Sequence, residues 1–530
     1  MKKITTLIAV VVCLLHTRAQ SNYNLDLLGE LDYGGSDFEL LSGIWGYTDD
    51  DGSEYALVTY YQGLSIVDLQ DPANPEELFF VQWAEGIWHE AQVWDHYAYI
   101  SSESAKGVLI VNLENLPLSI DTTSYHGPDS VQLISAHTLW IDEKGYCYLN
   151  GYSTASDFGG AYVIDVATNP WNPVYIGKFS DFYFHDSFTR NDTLWAAQMF
   201  DGSVAMYDVA DRTNFVLLGV TNTPAFFTHN VWPSDDGKYA FTTDETMDGF
   251  TCSYDMSNPT DMILLDTYKH GAQDSTIVHN VFYKDGFLIN AHYTEGVTIV
   301  DVHKPDNMIE TAFYDTYPFG PENIFAGVWG AYPYFQSGLM VVSDRNEGLK
   351  VFQPEYIRAC YLEGTVQDEV TFENIVNAEV KILSTNAADM TNFLGAFKTG
   401  FHASGLYEVE VNAEGCETKI YESIELINAE TYILEAKLDC GSVAVDPEQT
   451  SEMFSVFYDA TNNLIRVQIQ PGAINIDGFK IFETNGRLID QYHETALSNE
   501  LIIPNIYPGG AYIIQILCNT GVYTEKIILY

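Results

Sequence analysis

Positive charge is what this chain has least of. Its 530 residues carry 23 Lys and Arg against 74 Asp and Glu, a formal net charge of −51 at pH 7. Such an excess repels nucleic acid and anionic membranes, and no basic patch interrupts it. Cysteine is scarce too: there are 7, and neither a CxxC nor a Cys/His zinc spacing occurs. Long apolar runs are missing, so no transmembrane segment is expected. The best candidate, Ile4 to Leu15, falls short of the ~20 apolar residues a spanning helix needs. Also missing are a Gly-x-Ser-x-Gly elbow, a phosphate loop, a dinucleotide glycine fingerprint and a His-Glu-x-x-His helix, and with them the sequence signatures of those chemistries.

The short apolar run has another use. Lys2 and Lys3 precede it and Thr17-Arg18-Ala19 follows it, before Gln20, so residues 1–19 read as a secretory signal peptide. Its removal leaves 20 basic residues against 74 acidic ones, a charge of −54. Six cysteines then remain: Cys147, Cys252, Cys360, Cys416, Cys440 and Cys518. Export permits disulfides, and Cys360 with Cys440, which bracket one domain, is the preferred pair.

What the chain does have is a repeated phrase. Gly63-Leu64-Ser65-Ile66-Val67-Asp68 returns as Gly107-Val108-Leu109-Ile110-Val111-Asn112, as Gly160-Ala161-Tyr162-Val163-Ile164-Asp165 and as Gly296-Val297-Thr298-Ile299-Val300-Asp301. Looser copies start at Gly202, Gly249 and Gly348, which makes seven, separated by 42 to 53 residues. A period of roughly 40–50 residues built on short β-branched runs marks a propeller blade, one four-stranded sheet per repeat. Outer strands follow most copies, but none follows the last, which ends at Gln353. The N-terminal stretch from Tyr23 to Tyr33 is the spare strand that fits, and pairing it with the last blade removes an open sheet edge. Turns such as Asp235-Asp236-Gly237 and Lys284-Asp285-Gly286 join the strands. Thr48-Asp49-Asp50-Asp51-Gly52 resembles the start of a calcium loop, but the closing glutamate is absent and a plain turn is the better reading.

A histidine recurs with the same period. His89, His137, His185, His229 and His279 each stand where an outer strand hands over to the innermost strand of the next blade. In the first and last blades Trp45 and Trp329 fall near the equivalent place. That junction lies at one mouth of a propeller channel, where loops carrying Glu103, Gln198, Asp244, Glu245, His292 and Asp344 also open. Two readings follow. Each histidine is a strut, bonding the backbone of the neighbouring blade. Alternatively, His137, His185, His229 and His279 hold a divalent metal (Zn, Cu or Fe by donor type, with Ca also considered), and His89, Glu103 and His292 complete a ligand-binding mouth. Some of the 29 Phe, 36 Tyr and 9 Trp, on the same face, would stack on a glycan or hold a peptide.

After Pro354 the repeat stops, and alternating strands such as Gly405-Leu406-Tyr407-Glu408-Val409 suggest a small antiparallel sandwich. The expected fold is all-β: a seven-bladed β-propeller over 21–356, antiparallel β-sandwiches over 357–441 and 453–530, and a linker over 442–452.

The repeated phrases resemble those of LVIVD-repeat proteins, in particular the choice-of-anchor B family, a resemblance that implies a propeller and no particular activity. Residues 357–441 resemble the regulatory-like sandwich found beside secreted carboxypeptidases; the peptidase itself is missing. The order Phe479-Lys480-Ile481, Asn485-Gly486-Arg487, Gly509-Gly510-Ala511-Tyr512 and Lys526-Ile527-Ile528-Leu529-Tyr530 resembles the C-terminal sorting domain of the type IX secretion system. That resemblance implies recognition of residues 453–530 by the type IX machinery and a secreted or cell-surface location in a Gram-negative bacterium. A binding module with its glycan or protein ligand at the channel mouth is the first functional expectation. A metal-dependent enzyme using the histidines and a structural adhesin are its rivals.

Overall fold

The computed structural model describes residues 22–34, 41–104, 106–247, 249–271, 276–317, 319, 324–441, 454–459, 464–469, 476–483, 488–492, 500–504, 510–518 and 521–529. The signal peptide and the 442–452 linker lie outside the described residues. The protein is all-β, built largely of antiparallel sheets, and divides into two compact units after Ala359. No helix among the described residues is long and apolar enough to cross a membrane.

Seven sheets follow one another along the first unit, among the described residues. The first is typical: Leu41–Thr48, Glu54–Tyr60, Gly63–Asp68 and Glu76–Gln82 pair in sequence order, each antiparallel to the next. Its middle strands are buried along nearly their whole length, while the fourth is half exposed. That gradient means the sheets pack face to face and share apolar layers, so strand residues of both parities must be apolar. Through the first six sheets a first strand packs against a first strand of the next, Phe287–Ala291 of the sixth meets Val328–Tyr332 of the seventh, and Val328–Tyr332 packs against Leu41–Thr48 of the first.

The repeat glycines have a steric cause. A Cβ on Gly63 would lie 1.9 Å from the Val81 carbonyl oxygen of the fourth strand, and one on Gly296 would lie 2.1 Å from that of Tyr314. In the seventh sheet the same job falls to the N terminus. Leu25–Leu31 pairs antiparallel with Gly348–Pro354, and a Cβ on Gly348 would lie 2.2 Å from the Leu31 carbonyl oxygen. One strand was not foreseen: Asn22–Tyr23 adds a fifth strand to the sixth sheet, against Ile309–Tyr314.

The second unit departs from the purely antiparallel expectation. Cys360–Asp368 pairs antiparallel with Ala396–Phe401 but parallel with Thr431–Leu438. The chain reaches that edge after crossing to a second sheet, whose strands Glu379–Ile382, Ala388–Met390, Gly405–Asn412 and Lys419–Leu426 are antiparallel, and a strand that returns by a crossover can lie parallel. The two sheets share one core that includes Leu362, Val380, Val409 and Leu434. The disulfide expectation is also corrected. Cys416 bonds Cys440, closing a separation of 24 residues, and Cys360 is a free thiol inside the core, its pKa pushed up to about 11 by burial. Phe454–Asp459, Leu464–Ile469 and Glu500–Pro504 form one further antiparallel sheet, and Ile476–Glu483, Leu488–Tyr492, Gly510–Cys518 and Gly521–Leu529 another.

Candidate metal site in a cavity shared by seven strands

The first strands of all seven sheets line one cavity of about 50 Å³. A water needs roughly 10–15 Å³ of such space, so a few waters or one ion fit and a sugar ring does not. Its wall is layered along each strand. Four histidines and Trp329 stand at one end. The residues just after the histidines, Thr138, Asp186, Asn230 and Asn280, line the wall with Glu90. Three residues beyond each histidine an aromatic ring follows: Trp140, Phe188, Trp232 and Phe282, with Trp45 beside them. These rings pack against one another with centroids 4.0 to 6.3 Å apart, tilted or edge to face, and close the other end.

The histidine row is continuous over four sheets. Ring centroids are 4.2 Å apart for His137 and His185, 3.9 Å for His185 and His229, and 4.4 Å for His229 and His279; Trp329 continues the row 4.2 Å from His279. Two of the rings are anchored from outside. His185 Nδ1 donates to the His229 carbonyl at 2.8 Å and His279 Nδ1 to the Trp329 carbonyl at 2.6 Å. A carbonyl only accepts, so these Nδ1 atoms carry the proton and the neutral rings present Nε2 lone pairs inward. Burial holds both residues well below the ordinary histidine value, neighbouring imidazoles adding to the effect, so both are neutral at pH 7. His229 is also lowered, chiefly by burial, with Glu245 opposing. Its Nδ1 faces the His279 carbonyl and Asn280 without closing an ordinary hydrogen bond.

Glu245 turns this row into a candidate centre. It follows Tyr239–Asp244 and brings Oε2 to 3.5 Å from His229 Nε2 and Oε1 to 3.9 Å from His279 Nε2. The three donor atoms lie within 4.8 Å of one another. Those separations are too long for hydrogen bonds. The His279 lone pair and the carboxylate it faces repel unless a cation stands between them. Metal–ligand bonds of about 2.0–2.2 Å suit such gaps, and two imidazoles with one carboxylate is a donor set for Zn, Fe or Cu rather than for Ca, which takes 6–8 oxygens. The Tyr293 hydroxyl holds Glu245 Oε1 while its ring packs 4.9 Å from His279, so one side chain orients two of the three donors. At the other end of the row His137 lies with Nδ1 2.7 Å from Glu103 and Nε2 2.7 Å from His185 Nε2. Its carboxylate partner is held below its usual range by that contact.

Two of the expected residues stand apart. His89 is fully buried, but its Nδ1 lies 3.0 Å from the Tyr60 carbonyl, its ring packs on Trp83, and it does not line the cavity. A hydroxyl pattern identifies the equivalent position in the first sheet. Ser101, Thr243 and Thr59 donate hydroxyl hydrogens to the carbonyls of His137, His279 and His89, and Ser343 does the same to Ser42. Ser42, not Trp45, is thus the first sheet's equivalent of the histidines. His292 is buried beside Tyr268 and His270, away from the row. Asp244 and Asp344 are spent on loop backbone and hydroxyls, and Gln198 on Ser203 and Tyr207.

Glu90 and Asp186 were not singled out from sequence, although each follows a histidine of the series. Glu90 Oε1 accepts from Trp329 Nε1 at 2.8 Å, and a Cβ on Gly43 would lie 2.1 Å from its other oxygen, so that position must stay glycine. Burial pushes Glu90 up to about 8 and Asp186 up to about 6, the latter opposed by the Asn230 amide. No protein-family model matches the chain, and no curated protein matches it.

Proposed function

We propose that the protein is an exported binding module whose site is a divalent transition-metal centre formed by His229, Glu245 and His279. The observation that carries this is the facing of two buried imidazole Nε2 atoms and a carboxylate at 3.5 and 3.9 Å, inside protein and with a tyrosine orienting the carboxylate. In this reading the seven sheets are the blades of a β-propeller of the LVIVD-repeat, choice-of-anchor B kind, and the shared cavity is its central channel. The ordered succession of sheets and the use of an N-terminal strand in the last one support it. Residues 360–441 act as a spacer of the carboxypeptidase regulatory-like kind. Residues 453–530 act as a type IX sorting domain that brings the protein to the cell surface or beyond it.

At His279 the strut and metal roles do not compete: Nδ1 serves the neighbouring sheet and Nε2 remains for the ion. A metal-dependent hydrolase is the second reading, favoured by Glu90 and Asp186 in the same cavity, two carboxyls whose raised pKa values suit proton exchange near neutral pH. Elemental analysis of the purified mature chain, stripped with chelator and reloaded with zinc, tests the metal. One ion per chain, lost in folded Glu245→Gln, is the expected result. A parent that takes up no zinc at micromolar concentration sinks the metal reading.

A further inference from the structure

The loops around the histidine row carry large side chains that a solvated loop has no reason to carry. Phe158, Phe200 and Phe226 are 57%, 66% and 63% exposed, and Phe182 is 40% exposed. They belong to three successive sheets and all precede a first strand or join the second strand to the third, which puts them at the histidine end. They form one arc. Phe158 stacks on Tyr183 at 5.2 Å, Tyr183 meets Phe200 at 4.7 Å, and Phe226 packs so closely over Gly202 that a Cβ there would lie 2.6 Å from its Cα. Tyr183 joins the arc to the row: its hydroxyl and the Cβ of His137 each come within 2.9 Å of where a Gly151 Cβ would stand.

Folding gains nothing from this arrangement. Exposed rings forgo burial, and contiguous exposed apolar area on a soluble surface marks a contact site. Phe226 adds strain, since it holds φ +54° with a bulky side chain. Strain of this kind persists where function requires it.

Charge selects the occupant. Asp181 precedes Phe182 and Asp201 follows Phe200; both are exposed, and neither has a cationic partner among the described residues. Asp157, beside Phe158, is held by Lys178. Glu103 is partly exposed next to Tyr183. Phenyl faces offer no hydrogen bonds to sugar hydroxyls, but they attract cations, and the surrounding field of a strongly acidic chain does the same. We propose that this arc is a docking surface for a basic, extended peptide whose Arg and Lys side chains lie over the phenyl faces and reach Asp181 and Asp201. This deepens the binding-module reading and is independent of whether the centre holds metal.

The test uses the full mature chain and a short alternating Arg-Leu peptide, followed by calorimetry at two salt concentrations. Saturable binding is expected, weakened ~10-fold in the triple variant Phe158→Ala, Phe200→Ala, Phe226→Ala, which leaves every charge in place. Phe226→Gly supplies a control for folding: it relieves the positive φ, so its melting temperature should rise while affinity falls. Glu245→Gln should bind the peptide like the parent, which separates this surface from the metal site. Equal affinity of parent and triple variant would mean generic attraction to an acidic protein and overturn the proposal. So would saturable binding of a neutral oligosaccharide in place of the peptide.

Discussion

His279 and His89 occupy the same place in their respective sheets, yet one presents a lone pair to a carboxylate and the other stacks on a tryptophan. Both engage a backbone carbonyl through Nδ1. What differs is the company. His279 has His229 on one side and Trp329 on the other, with Tyr293 and Glu245 across from it. His89 has Ser42 as its neighbour in the first sheet and turns toward Trp83 instead. A repeated residue becomes a candidate ligand where adjacent repeats and a loop agree to surround it.

The comparison breaks most visibly if the ligands are removed. Changing His229 and His279 together to Ala should weaken zinc binding by about 100-fold or more, whereas His89→Ala should leave it intact. Competition against a chromophoric chelator reads both. Glu90 sharpens the contrast from the cavity side. Its carboxyl is held at about 8 against an ordinary 4.5. The unfolded chain therefore releases that proton at lower pH than the folded one, so stability falls as pH rises from about 4.5 to about 8 and levels off above. Glu90→Gln removes the slope and should gain about 3 kcal/mol on the parent at pH 8.5 relative to pH 5, measured by urea titration at both pH values. His89→Ala should cost about 2 kcal/mol of unfolding free energy, because a buried ring and one hydrogen bond are lost. The smallest effect belongs to Tyr293→Phe, which frees Glu245 Oε1 and should weaken zinc roughly 10-fold without moving the melting temperature by more than a degree or two. Equal zinc affinity in His89→Ala and His279→Ala would erase the distinction altogether.

The repeat was legible because its glycines answer a steric demand: at Gly63, Gly107, Gly296 and Gly348 a carbonyl of the outer strand comes within 1.9 to 2.2 Å of where a Cβ would be, and other close neighbours crowd the same place at Gly160, Gly202 and Gly249. The four-histidine row was legible through the same period, and Trp329 with it. Counting failed where the hairpins differ in length. The register shift between Leu41 and Ile44 moves the inward position to Ser42 and carries Trp45 three residues on, into the aromatic layer. Glu245 could be named from its loop, but not its distance to two particular imidazoles. Glu90 and Asp186 were hidden because an acidic chain offers acids everywhere, and only their place on the cavity wall distinguishes these two. The disulfide was misread because bracketing a domain in sequence does not bring two sulfurs together, whereas Cys416 and Cys440 do meet in space.

The strand Leu25–Leu31 is synthesised among the first residues and finds its place among the last, more than 300 residues later, against Gly348–Pro354. Loop closure over such a distance is slow, and no earlier partner is available for it in its own sheet. The seventh sheet therefore stays incomplete until the final strands of the first unit exist. Deleting residues 22–31 would leave Gly348–Pro354 as a bare edge, and the defect would show itself as association between molecules rather than as a local loss of structure.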